Sequence, residues 1–271
     1  MTALFVGLLA VATSTVGAVG GLGGAVFLVP LLVVTGTDIG TAAPLGLLSV
    51  AAGSLAAASR HAGERTVNHR LGVTIEVFAS AGAIAGALAA GRADDRVLQL
   101  VLAAIAAGAA VSSLARPGLR NRPVRGFDPS AVGEWRGELA GAYALGDAVV
   151  PYRAGRLPLG LAAMVVSGLI AGVSGVSGGF VKTPVATDIL RVPLKVAAPT
   201  TTFTVGVTSA AALLVYIERG NLDVDLAPAV VLGSIVGGAV GASVQARLAP
   251  TTVRRLLTAL LVAVAGLLVV G

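Results

Sequence analysis

The stretch "GVSGVSGGFVKTP" (residues 172–184) puts glycines, two serines and a lysine inside an apolar segment. Glycine in a helix interior costs about 1 kcal/mol relative to alanine, and proline costs about 3 kcal/mol. The stretch therefore predicts an interruption in a helix. A second stretch of the same length, "AVGGLGGAVFLVP" (residues 18–30), also carries a glycine cluster and ends in proline.

The composition predicts the class of protein in which these interruptions occur. The 271-residue chain is 56% hydrophobic and 12% charged, whereas soluble domains carry about 25% charged residues. Apolar runs of about 20 residues are long enough to span a bilayer, and β-barrel strands would instead alternate over about ten residues. We therefore expect an all-α polytopic membrane protein with apolar segments at 4–34, 41–59, 71–90, 97–114, 157–190, 196–216, 226–246 and 253–270.

The register between the two stretches continues along the chain. Gly21 aligns with Gly175 and Gly24 with Gly178, "AAP" recurs at 42–44 and 197–199, and "GAIAGA" (82–87) aligns with "GGAVGA" (237–242). We therefore expect two repeats of about four transmembrane segments each, at 1–115 and 157–271, with the first segment of each repeat broken at its Gly-rich motif. Residues 116–156 predict a hydrophilic linker. Parallel and inverted repeats both fit the sequence.

A broken helix in a membrane indicates a binding site. Unpaired backbone groups in lipid cost several kcal/mol each, so a break is tolerated where protein or a water-filled cavity satisfies them. In transporters the start of a half-helix points its N–H groups and positive dipole at an anion. Close helix packing is the alternative for the small residues, and it is favoured at Gly82, Gly86, Gly237 and Gly241. The candidate substrate-binding residues are Gly21, Gly24, Ser174, Gly175, Ser177, Gly178, Gly179, Lys182, Thr200, Thr201 and Thr202.

The most specific part of the chain is "GGFVKTPVATDILRVPLKVAAPTTTFTVG" (178–206). Together with the paired segments running into "FLVP" and "FVKTP", it resembles the sulfite exporter TauE/SafE family of membrane carriers. The resemblance implies a secondary transporter, an exporter, of small sulfur-containing anions such as sulfite or organosulfonates. It also implies a multi-pass protein of the cytoplasmic membrane. In the first half Ala25 and Val26 interrupt the glycine run that the family places before phenylalanine, so we expect the second half to be the more sensitive to substitution.

The charged residues in apolar segments leave several functions open. Lys182 aligns with Leu28, and we expect its ammonium either to neutralise the anion or to reach the interface. Glu76 fits a proton-coupling carboxylate, a partner for a lysine, or an interfacial residue. The absence of cysteine excludes thiolate ligands, His61, Glu64 and His69 lack a further firm metal ligand, and no P-loop is present.

We expect no cofactor, no metal, no enzymatic activity and no nucleic-acid partner; the expected partners are the anion and membrane lipid, and homo-oligomerisation stays open. The alternative functions are an anion channel, or a membrane assembly factor or enzyme that keeps the fold without transport. If every segment crosses once, a small excess of Lys and Arg puts both termini and the linker in the cytoplasm.

Overall fold

Helices make up most of the described chain. The computed structural model describes residues 2–20, 23–61, 67–92, 94, 96–98, 100, 104, 132–145, 148–176, 178–245, 259 and 262. The helices are α1 (Ala3–Gly20), α2 (Ala25–Val34), α3 (Ile39–His61), α4 (His69–Ala90), α5 (Leu157–Ser174), α6 (Gly179–Pro184), α7 (Leu194–Glu218) and α8 (Ala227–Gln245). A π-helical turn, Val185–Ile189, continues α6.

The described helices fit a protein that crosses a membrane several times. Within the described residues, α3, α4, α5, α7 and α8 are long and apolar enough to span a bilayer, and α1 and α2 are shorter apolar helices. The predicted segments 97–114 and 253–270 lie almost entirely outside the described residues.

A small antiparallel sheet lies in the segment predicted as a linker. Its strands are β1 (Gly133–Glu134), β2 (Ala140–Leu145) and β3 (Ala148–Arg153), in the order β1-β2-β3. The all-α prediction is therefore wrong for this segment. The sheet forms because Tyr143, Val150 and Tyr152 present an apolar surface that packs on Leu71 and Ile75 of α4.

Asn68 joins this sheet to the helices. Its carboxamide oxygen accepts a hydrogen bond from the Leu71 N–H (2.9 Å) and caps α4, while its Nδ2 donates to the Tyr152 hydroxyl (3.0 Å). Its own main-chain N–H donates to Thr200 Oγ1 of α7 (3.0 Å). Burial raises the pKa of Tyr152, so the phenol stays protonated near neutral pH. The sheet is therefore held to the starts of both α4 and α7.

Three helices, α4, α5 and α7, run in the same direction. In each pair of neighbouring helices, a residue further along one helix contacts a residue further along the other, so the helices are parallel. The pairs in contact are Asn68–Thr200, Ala87–Arg219, Ala79–Gly168 and Ala83–Gly172.

The helices α1, α3 and α8 form a second parallel group. Its contacting pairs are Gly7–Ala229, Val11–Gly237, Thr15–Gly241, Ser49–Ser234 and Gly53–Gly238. The first residues of α3 lie near the end of α7, since Gly40 approaches Asn221, while Ser54 lies against Gly206 further along both helices. These contacts make α3 and α7 antiparallel, so the two groups of three helices point in opposite directions.

Each glycine-rich stretch lies at the tip of a helical hairpin. α2 turns back along α1, with Gly24 against Ser14, and its ten residues cover about 15 Å against about 27 Å for α1. α6 turns back along α5 in the same way, with Gly178 against Ser167 and Leu190 against Gly160. Pro30 lies inside α2, so the interruption before α2 falls at the glycines, not at this proline.

The two membrane faces differ in what they carry. We call the face where α4, α5 and α7 begin the sheet face, because the sheet packs there, and the other the opposite face. α1 runs parallel to α3 and therefore begins at the opposite face. The expectation that both termini and the linker share one side assumed that every segment crosses once. That assumption is wrong, because each hairpin returns to the face from which it came and does not count as a crossing. The start of α1 therefore lies on the face opposite the sheet.

Glycines let the parallel helices touch. A methyl group added at Gly168 would lie 1.8 Å from the Ala79 carbonyl oxygen, whereas one added at Gly7 would lie 3.5 Å from Ala229, an ordinary contact. We expect Gly168→Ala to lower the thermal midpoint of the detergent-solubilised protein by several degrees, because overpacking costs about 1–3 kcal/mol. Gly7→Ala is the matched control and should keep or slightly raise the midpoint. Equal midpoints for the two variants would contradict the packing.

Candidate functional site

The tips of the two hairpins meet at a cavity of about 130 Å³. Its walls also include parts of α3, α7 and α8. Hydroxyl groups line it at Ser14, Ser49, Ser54, Thr201 and Thr202, and glycines line it at Gly17, Gly23, Gly24, Gly53, Gly179 and Gly238. Among the described lining residues none carries a charge, so the cavity is polar but neutral.

Three of the cavity hydroxyl groups, those of Ser14, Ser49 and Thr201, belong to hydrogen-bonded pairs that tie neighbouring elements together. Ser14 Oγ and Ser49 Oγ are 3.3 Å apart, and Ser234 Oγ donates to Ser49 Oγ at 2.7 Å. On the other side, the Thr183 and Thr201 hydroxyls are 2.9 Å apart. These contacts fix the hydroxyl groups in the cavity wall, where a bound anion can accept hydrogen bonds from them.

Two helices begin at the cavity wall. Gly24 immediately precedes α2, Gly179 is the first residue of α6, and both line the cavity. The first N–H groups of a helix have no partner within that helix, and the helix dipole places partial positive charge there. Two helix starts therefore lie in the cavity wall, and no charged side chain lines it among the described residues.

Both tips are closely packed. A methyl group added at Gly24 would lie 2.6 Å from Ser14 Oγ and 2.7 Å from Ser14 Cα. At the second tip, one added at Gly175 would lie 2.2 Å from Ala43 Cα, whereas at Gly178 the nearest atom would be Ser167 Oγ at 3.1 Å. The greater sensitivity expected for the second half stays a prediction.

Lys182 lies beside the cavity wall in a cluster that we call the charged cluster, formed by Lys182, Glu76, Thr208 and Ser80. The Lys182 side chain is fully buried (0% exposed), and its Nζ donates to Glu76 Oε2 at 2.7 Å. Thr208 Oγ1 bridges the pair, because it accepts from Lys182 Nζ and donates to Glu76 Oε1. Ser80 Oγ donates to the same carboxylate oxygen at 3.0 Å.

This arrangement pairs the two charges for which the sequence left several alternatives. Lys182 is fully buried, and its ammonium donates to Glu76. Lys182 is not among the residues that line the cavity. One feature of the sequence indicated this pairing: Lys182 and Glu76 have opposite charges, and each is isolated within an apolar segment.

The other ten predicted site residues fall into three groups: four line the cavity, two lie outside the described residues, and four make structural contacts. Gly24, Gly179, Thr201 and Thr202 line the cavity. Gly21 and Ser177 lie outside the described residues.

Ser174, Gly175, Gly178 and Thr200 make structural contacts instead. Ser174 Oγ donates to the Ile170 carbonyl (2.7 Å), and the Gly178 carbonyl accepts from Ser167 Oγ (3.2 Å). Gly175 has φ +69° and packs on Ala43, where a side chain would clash. Thr200 accepts from Asn68. Sequence reasoning did not identify Ser14, Ser49 and Ser54 as cavity-lining residues. A hydroxyl in an apolar helix usually bonds its own backbone, so nothing in the sequence distinguished these three.

A helical bundle with several apolar helices long enough to span a bilayer defines a polytopic membrane protein. Residues 6–268 match the family described as Sulfite exporter TauE/SafE, and the chain belongs to this family. Membership implies a membrane transporter of sulfite-type anions. No curated protein and no solved structure matches the chain.

The charged cluster predicts a specific pattern of stability. Removing one partner of a buried ion pair costs about 3–5 kcal/mol, whereas replacing both partners is often neutral. We expect Lys182→Met and Glu76→Gln each to lower the thermal midpoint in detergent, and the double variant to recover most of the loss.

The control for this experiment is the exposed pair of Arg153 and Glu138 on the sheet (2.5 Å). Glu138→Gln removes the same kind of charge, but solvent screens that pair, so the midpoint should hardly change. A double variant less stable than both single variants would contradict the pairing of Lys182 with Glu76.

Proposed function

We propose that the protein is a secondary transporter that exports small sulfur-containing anions, such as sulfite or organosulfonates, across the cytoplasmic membrane. The observation that carries this proposal is the pair of helix starts, at Gly24 and Gly179, that face one neutral cavity. Partial positive charge on backbone groups stabilises an anion without holding it as tightly as a full charge. A carrier needs that balance because it must also release its substrate.

The size of the cavity supports a small substrate. Its volume of about 130 Å³ is similar to that of an engineered cavity of about 150 Å³ that accommodates benzene. Sulfite and short organosulfonates have no more heavy atoms than that ligand. The hydroxyls of Ser14, Ser49, Thr201 and Thr202 are the proposed donors to the anion oxygens, beside the helix starts at Gly24 and Gly179.

Repeat symmetry supports a carrier that alternates between two states. The contact of Val11 with Gly237 corresponds, in the aligned halves, to that of Val165 with Gly82. The contact of Thr15 with Gly241 corresponds in the same way to that of Leu169 with Gly86. Because the two parallel groups point in opposite directions, we propose that the halves 1–115 and 157–271 are inverted repeats whose broken first segments meet at the substrate site. Transporters with inverted repeats expose a midplane site to each side in turn.

Charge distribution supports the orientation that an exporter requires. Described basic residues near the sheet face are Arg70, Arg136, Arg153, Arg156, Arg191 and Lys195, against Arg92, Arg96 and Arg219 near the opposite face. The excess of Lys and Arg marks the cytoplasmic side, so we propose that the sheet face is cytoplasmic. The cavity-lining residues Ala57, Pro199 and Ala242 belong to the sheet-face halves of their helices, which favours loading from the cytoplasm.

Flux in proteoliposomes tests the proposal. We expect the purified protein to move sulfite, and to show counterflow, in which sulfite on one side accelerates exchange of labelled sulfite on the other. Sulfate, thiosulfate and taurine define the substrate range. Flux without counterflow would indicate an anion channel, and folded protein without any flux would indicate a role other than transport.

Ser49→Ala tests the site. We expect this variant to raise the KM for sulfite about tenfold, because a hydrogen bond to a charged group contributes about 1.5 kcal/mol or more and about 1.4 kcal/mol corresponds to one factor of ten. Ser243→Ala is the matched control, since Ser243 Oγ donates only to the Ala239 carbonyl of its own helix and lies outside the cavity. Equal KM values for the two variants would remove Ser49 from the site.

A further inference from the structure

The proposed substrate site leaves the charged cluster without a role. A fully buried ammonium beside a nearly buried carboxylate in the membrane-spanning region is expensive, and well-packed apolar residues in its place would often give a more stable protein. Ionisable residues inside membranes mark ion or proton pathways more often than structural contacts. We propose that Glu76 is a proton-binding site that couples anion transport to proton movement, with Lys182 as the charge that links the two; this inference rests on the proposed function.

The charged cluster lies within one helical turn of the cavity wall on two separate helices. Gly179 lines the cavity, and Lys182 follows three residues later on α6. Val205 lines the cavity, and Thr208 follows three residues later on α7. Three residues correspond to about 4.5 Å along a helix axis. Any shift of α6 or α7 that opens or closes the cavity therefore also moves a partner of Glu76.

The charge of the cluster depends on one proton. While Glu76 is ionised, its charge and that of Lys182 cancel, and the cavity beside them has no net charge to attract an anion. When a proton from water binds a carboxylate oxygen of Glu76, the charge of Lys182 is no longer cancelled. An anion in the cavity then supplies the missing negative charge, at short range and in surroundings of low dielectric.

The resulting linkage is reciprocal. Protonation of Glu76 strengthens anion binding, and by thermodynamic necessity a bound anion strengthens proton binding by the same factor. On binding, an O–H bond of hydronium breaks as the O–H bond of Glu76 forms. When the anion leaves, the O–H bond of Glu76 breaks and the proton returns to water, which becomes hydronium again. Proton and anion therefore cross the membrane together, in the same direction.

The ionisable residues around Glu76 are few. Within the described residues its hydrogen-bond partners are Lys182 from α6, Thr208 from α7 and Ser80 from α4. The neighbouring helix α5 contains no ionisable residue. The other ionisable residues of these elements lie toward their ends, at His69, Arg70, Asp188, Lys195, Tyr216 and Glu218.

The repeat alignment indicates one coupled proton for each anion. Lys182 aligns with Leu28 and Glu76 aligns with Val231, so the other half has no counterpart of the charged pair. Leu28 is fully buried in the apolar core. The aligned halves therefore contain one proposed proton site and not a symmetric pair.

Proton uptake on sulfite binding tests the inference. Calorimetry of the detergent-solubilised protein in two buffers with different ionisation enthalpies gives the number of protons taken up. Sulfite itself titrates near neutral pH, so the measured quantity is the difference between proteins, in which that contribution cancels. We expect wild type to take up more protons than the double variant Glu76→Gln/Lys182→Met, with the difference approaching about one proton at pH values where Glu76 is ionised before binding. The double variant is used because it leaves no uncompensated buried charge.

Flux completes the test. In proteoliposomes with a trapped pH indicator, we expect sulfite entry into wild-type vesicles to carry protons that the double variant does not carry. Glu138→Gln, which removes a carboxylate from the exposed pair on the sheet, should retain the wild-type proton uptake and proton flux.

Each remaining outcome has a defined meaning. Equal proton uptake in wild type and the double variant would overturn the coupling role of Glu76 and leave the transport proposal standing. Loss of all sulfite binding in a folded double variant would place the pair in the anion site and would also overturn the inference. Absence of sulfite flux and binding in wild type would overturn the proposed function and the inference with it.

Discussion

Backbone hydrogen bonding at the two hairpin tips is the constraint on which the rest of the structure depends. A helix that stops within the hydrocarbon core exposes N–H and C=O groups that lipid cannot satisfy. The protein meets this constraint by turning each broken segment back on itself and by placing both tips against one cavity. The neutral walls, the hydroxyl pairs and the positive helix ends all follow from that placement. The polar part of the cavity wall consists of hydroxyl and backbone groups, and no charged side chain lines it among the described residues.

Local composition and tertiary contacts decide different features of the two hairpins. Glycine clusters mark the ends of α1 and α5 because glycine weakens a helix wherever it occurs. Whether the chain then crosses or returns depends on contacts such as that of Gly24 with Ser14, and nothing local in the sequence encodes that contact. For the same reason the sidedness prediction failed: a segment counted as one crossing contributes none when it returns to its own face.

The residues that line the cavity divide along a similar line. Gly24, Gly179, Thr201 and Thr202 stand out in the sequence because they belong to stretches with an unusual local composition, and their role in binding stays a prediction. Ser14 and Ser49 were not, because they are single hydroxyls in apolar helices and become part of the site only when α1, α3 and α8 pack together. Lys182 and Glu76 were recognisable as exceptional individually, but their pairing depends on α4 and α6 meeting across more than a hundred residues of sequence.

The packing of the first and last described helices has a consequence for how the chain can assemble. α1 packs most extensively on α8, and α5 packs most extensively on α4. The contacts of α1 with α8 join residues more than two hundred positions apart, such as Gly7 and Ala229. The glycine face of α8 therefore stays uncovered until the two ends of the described bundle have met.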